Sequence, residues 1–214
     1  MTIRSADMDS WELFETALEV SGEERLELLR RAESSVGAGL GRRDCEAQVL
    51  RACIAAVLLG DGLGKVDSVR SEVLAATDCC ASGWAGFYLA ESGNRLGEPS
   101  LVIAAVDAVP AEFFEERDLR WRAVRLVELR IVAGVESGDA PGSVKVRVGE
   151  LAASYAAHGD SDDYASPRQL VECLLRSGPS FGDSLQVLER SVDLDAWLSP
   201  ELASMVSTRL EKDD

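Results

Sequence analysis

The sequence predicts an all-α protein, a single domain over 1–214 in which antiparallel helical hairpins stack as a solenoid. Three observations predict it. Helix-start signals recur along the whole chain, apolar residues return at helical spacing, and glycines interrupt the pattern at intervals of about 33–45 residues. Such intervals match the length of helix–turn–helix repeat units.

Taken in order, Asp9 with Glu12 and Ser21 with Glu24 have capping-box spacing. They precede the apolar sets Leu13-Phe14-Ala17-Leu18 and Leu26-Leu28-Leu29-Ala32, with a turn near Gly22. Gly37-Ala38-Gly39-Leu40-Gly41 has the first glycines of a dinucleotide fingerprint. It lacks the preceding strand and the later glycine, so it reads as a flexible linker between helices. An apolar helix over Cys45–Leu59 ends at Gly60-Asp61, and the next ends at Gly93-Asn94. Periodicity alone does not assign the short apolar run Leu101–Val106, but Ala104, Ala105 and Ala108 favour helix.

From Leu119 a helix presents Arg122, Arg125 and Glu128 as a polar face and ends at Gly138-Asp139. Val144-Lys145-Val146-Arg147-Val148 alternates as a strand does. An internal match assigns it to helix instead. A shift of 78 residues brings Gly60-Asp61 onto Gly138-Asp139, Ile54 onto Val132 and Val66 onto Val144. Each block then reads as an apolar helix, a glycine turn and an amphipathic helix. Ser166-Pro167-Arg168-Gln169 places Ser at the N-cap, Pro at the first helical position and Gln at the third. That helix closes near Gly178, Leu185–Val192 is helical, and Ser199-Pro200 opens the last helix.

At Gly60-Asp61, Gly93-Asn94 and Gly138-Asp139 the chain resembles a divergent tetratricopeptide-type repeat protein. Cys53 and Gly86, seven residues before the first two turn glycines, suit the family's close contact between paired helices; Ile131 departs from it. The family's aromatic positions and closing proline are mostly missing. The resemblance covers Arg43 to Gly159. It implies a right-handed stack of hairpins with a concave groove and a protein- or peptide-binding role, and it supplies no catalytic residues.

Charge and composition narrow the function classes. The 214 residues carry 22 Lys+Arg against 38 Asp+Glu, a formal net charge of −16. That balance disfavours direct nucleic-acid binding by long-range repulsion from phosphates. It favours a net basic protein partner. The longest apolar run, Ala52 to Leu59, is far short of a membrane span, and the first residues show no apolar signal core. A cytoplasmic, acidic interaction module is expected, a regulator or an inhibitor of immunity type, with no cofactor and no metal.

Cys45, Cys53, Cys79, Cys80 and Cys173 are odd in number and contain no Cys-x-x-Cys, so reduced thiols are the simpler reading. His158 is the only histidine, and its place before Gly159 suits a helix end rather than catalysis. Asp160, Asp162 and Asp163 could offer oxygen ligands to a cation, but the loop lacks the glycine and distal glutamate of a calcium loop. An enzyme built on Glu112, Glu115 and Glu116 is the alternative reading. An acidic helix start, with Phe113 and Phe114 entering the core or lining a groove, explains the same residues more simply. A third reading is a structural subunit with an exposed apolar face on the last helix, Leu198–Leu210. The partner-binding candidates are Trp84, Tyr88, Trp121, Arg122 and Arg125, because aromatics and Arg dominate interface hot spots.

Overall fold

The structure, a computed structural model, describes residues 9–39, 45–76, 82–110, 112–114, 119–157 and 167–213. These residues form twelve α-helices and a 3-10 turn over Pro179–Phe181, with no strand among them. They divide into two compact units, Met1–Ser92 and Gly93–Asp214, with the division inside one helix.

The first unit begins with α1 (Ser10–Glu19) and α2 (Gly22–Gly39). The capping box forms: Glu12 N–H donates to Asp9 Oδ1 at 2.8 Å, and Asp9 N–H donates to Glu12 Oε2 at 3.2 Å. Leu13, Phe14 and Ala17 of α1 are buried, as are Leu28, Leu29, Ala32 and Val36 of α2. The two helices pack as a hairpin across a reversal at Gly22, whose φ of 66° is readily adopted only by glycine. Next come α3 (Cys45–Gly60) and α4 (Val66–Ala75), also packed on each other, and α3 packs on α2. An ion pair from Arg25 to Asp61, 2.9 Å, ties α2 to the turn after α3. The unit closes with most of α5 (Ser82–Leu96), where Ser92 Oγ donates to the Ala56 carbonyl at 2.5 Å. A Cβ at Gly60 would sit 2.7 Å from that hydroxyl oxygen, so only glycine fits.

The second unit contains the last turn of α5, then α6 (Pro99–Asp107), α7 (Arg120–Glu136) and α8 (Pro141–Ala157). It continues through α9 (Arg168–Arg176), α10 (Gly182–Ser191), the short α11 (Leu194–Trp197) and α12 (Pro200–Asp213). Packing joins α7 to α6, α8 and α9. It also joins α10 to α8, α9 and α12, and α9 to α12. One core runs through α7 to α12, from Val124 and Ile131 through Val148 and Leu170 to Leu185 and Val206. The Leu101 run is helical within α6, as its alanines predict. Val144–Val148 is helical within α8. Val144, Val148, Leu151 and Tyr155 are buried at helical spacing, and the alternation arises because Val146 stands exposed.

Several turns differ from the expectation. The helix expected to stop at Gly93-Asn94 continues to Leu96, and the chain reverses at Gly97, φ 68°. Gly93 is instead a contact glycine, where a Cβ would sit 3.1 Å from Val102 Cγ2. Asn94 turns its amide to Gln169, with bonds of 2.6 and 3.3 Å exchanged between the two side chains. Gln169 therefore does not cap α9, which begins one residue later than the pattern suggests. Gly37–Gly39 is the last stretch of α2, while Leu40 and Gly41 of the expected linker lie outside the described residues.

Gly62, Gly97 and Gly138 each hold the left-handed residue of a Schellman stop. The paired bonds are Leu63 N–H to Leu58 O with Gly62 N–H to Leu59 O, Glu98 N–H to Gly93 O with Gly97 N–H to Asn94 O, and Asp139 N–H to Gly134 O with Gly138 N–H to Val135 O. Gly138 is thus the structural counterpart of Gly62, not of Gly60, so the Gly-Asp coincidence at a 78-residue shift does not align the two turns. Both positions do carry a packed helix–turn–helix, α3–α4 and α7–α8.

Candidate functional site

The expected site residues fall in both units. Trp84 and Tyr88 lie on α5, both half-buried. Tyr88 stands edge-on to Phe14 with ring centres 5.1 Å apart, and edge-on to Phe87 at 5.5 Å; Trp11 meets Phe14 at 5.9 Å. Such pairs stabilise packing beyond their area alone, so Tyr88 is tied into the aromatic core of the first unit.

Trp121, Arg122 and Arg125 lie in the first turns of α7, all half-buried. The Arg122 guanidinium lies 4.5 Å from the Trp121 ring centre. Arg125 Nη1 approaches Glu128 Oε2 at 3.1 Å. Glu128 is fully buried, so the polar face read from Leu119 does not remain in solvent. Its position follows the apolar phase of α7, with Val124, Ile131 and Val135 at helical spacing. The hydroxyl of Tyr155 from α8 is part of the same buried surrounding. Burial first, and then the Glu128 charge, push the Tyr155 phenol far above its ordinary range.

Glu112 is exposed in a turn next to Phe113 and Phe114, which are buried and edge-on at 4.8 Å, as expected for core aromatics. Glu115, Glu116, His158, Asp160, Asp162, Asp163, Cys79 and Cys80 lie outside the described residues. Among the described residues no group of three His, Cys, Asp or Glu converges as a metal site. Nor is any helix there long and apolar enough to cross a membrane. Cys53 and Cys173 are buried, and burial pushes the Cys173 thiol up.

The sequence reading missed a groove of about 330 Å³ in the first unit, formed by α2, α3 and α4. Glu33 comes from α2, Gln48 and Arg51 from α3, and Glu72 from α4, over a floor that includes Ile54 and Leu58. Burial raises the Glu72 carboxyl above 4.5, the Glu33 charge raises it further, and Arg51 acts in the opposite sense. Two carboxylates that repel each other beside one guanidinium leave the groove short of positive charge. No local pattern could have found it, because its charges come from three separate helices. Glu128 could have been found, since a glutamate in the apolar phase of a helix breaks the expected pattern.

No family model, curated protein or solved structure matches this chain.

Proposed function

We propose that the chain is a protein-interaction module, not an enzyme, and that it captures a segment of a net basic partner in a helical groove. The observation that carries this reading is the Glu33–Glu72 pair in the groove of the first unit. Burial first, and then the Glu33 charge, raise the Glu72 carboxyl, and a lysine or arginine from a partner entering there would offset that repulsion. The groove floor would take the aliphatic stem of the same side chain, as long cationic side chains commonly bury their stems. The net charge of −16 supports the same partner class, since it draws cations toward the surface.

A tetratricopeptide-type stack is the proposed arrangement. Each of α7, α8 and α9 packs on both its neighbour and a helix further on, as stacked hairpins require. A cytoplasmic inhibitor or immunity-type protein is the specific form this reading takes.

The test is capture from the native source with the wild-type chain and with Glu33→Gln/Glu72→Gln, followed by mass spectrometry. The expected result is one dominant net basic protein, retained by the wild type and lost by the variant. An acidic dominant partner, or equal retention by both chains, would overturn the reading.

A further inference from the structure

A second groove, about 560 Å³, runs between α9 and α12 in the second unit. Leu175, Leu202 and Met205 give it an apolar lining, and Arg176 and Arg209 stand at its edge. Met205 is 56% exposed, while Leu202 and Val206 on either side are buried. Glu172 also borders the groove, but Arg168 answers its charge at 2.9 Å. The groove is therefore locally cationic on a strongly acidic chain. Arg209 donates from Nη2 to the Leu175 carbonyl at 3.4 Å, and its Nη1 is buried without an acceptor. Glu201, one turn before Met205, is exposed.

Glu201 and Arg209 stand four residues before and four residues after Met205, so all three lie on one side of α12. If α12 meets a copy of itself in the antiparallel sense with Met205 at the centre, each Glu201 comes opposite the other copy's Arg209. A two-fold interface requires this self-complementarity. We propose that a second copy of this chain docks here, α12 antiparallel to α12. Met205 of each copy enters the groove of the other, and the carboxylate of each Glu201 meets the guanidinium of the opposite Arg209. The contact is small, since a 14-residue helix is only ~21 Å long. Two acidic chains also repel each other beyond the local pairs. The dimer is consequently weak and depends on concentration and salt screening.

Sedimentation equilibrium of the full chain at physiological salt, from micromolar to submillimolar concentration, tests this. The weight-average mass is expected to rise from 23.0 kDa toward twice that value. Met205→Glu should hold it at the monomer value with an unchanged thermal melt. Glu201→Arg and Arg209→Glu should each be monomeric alone, because each sets like charges face to face. Mixing those two variants should restore the twofold rise, because opposite charges then meet at both ends. A wild-type mass that stays at the monomer value would overturn the proposal. So would self-association that survives Met205→Glu, or folded single variants that do not associate on mixing. Met205→Glu and Glu201→Arg change exposed side chains, so they test the interface even if Arg209→Glu melts early.

Discussion

Glu72 and Glu128 are two glutamates that the fold treats in opposite ways. Glu72 is exposed at the edge of a groove, and its carboxyl is raised by partial burial and by Glu33. A carboxyl raised in the folded state holds its proton more tightly there than in the unfolded chain. Its contribution to stability is present below the unfolded value and is lost as pH rises through the folded one. Glu72→Gln is therefore expected to raise the urea midpoint at pH 7, with the difference shrinking as pH falls toward 4.5. Equal midpoints at pH 7 would contradict this. Glu128 is instead fully buried against Arg125. Removing one member of a buried pair strands the other charge, so Arg125→Ala should cost about 3 kcal/mol in a urea titration. Arg125→Met/Glu128→Leu should recover most of that loss, since apolar residues of similar volume replace buried ion pairs without penalty. In the sequence Glu128 reads with the solvent-facing polar side of α7, although its place in the apolar phase could have marked it as buried. The Glu33–Glu72 groove was not legible, because residues distant in sequence meet only after the helices pack.

At the scale of the helix and its ends, the stops depend on glycines with left-handed backbone. At Gly97 and Gly138 a Cβ would meet nothing within 4 Å, so the cost of substitution is conformational and not steric. Gly138→Ala should destabilise by ~1–2 kcal/mol, the cost of that conformation for an L-residue. Gly138→Asn should cost less, because Asn tolerates it. Chemical denaturation of the two variants gives the order directly; equal losses would mean that the turn does not depend on backbone freedom. Helix starts were the most legible feature, since the Asp9–Glu12 box and the Ser199 cap on Leu202 use short-range chemistry. Helix ends were less legible. Gly93 has the composition of a stop yet serves as a close contact with Val102, and the stop lies at Gly97. Glycine permits both roles, and only the neighbouring helix decides between them.

For the molecule as a whole, the net charge of −16 sets a field that acts before any contact forms. Association with a net basic partner should slow markedly as salt rises from ~50 to ~500 mM, while dissociation changes less, because screening acts mainly on the encounter. Stopped-flow kinetics at several salt concentrations would measure both rates. An association rate indifferent to salt would leave the charge with a solubility role only. The all-α class was legible throughout, because the helical period runs through almost every segment. The division between Ser92 and Gly93 left no mark in composition, since it falls inside α5 and not in a linker.

The burial of Tyr155 beside Glu128 also sets an alkaline limit on the fold. The chain has three tyrosines, and in the unfolded chain all of them ionise near pH ~10. Folded Tyr155 keeps its proton well beyond that point. Above pH ~10 the unfolded chain therefore releases a proton that the folded chain retains, and stability declines steadily with further alkali. An ultraviolet titration would read this optically. Phenolate absorbance in the native protein should fall short of the denatured value by at least the share of Tyr155, and that share should appear only as the helical signal collapses. In Tyr155→Phe the gap between the native plateau and the denatured end point should narrow by one tyrosine once corrected for protein concentration.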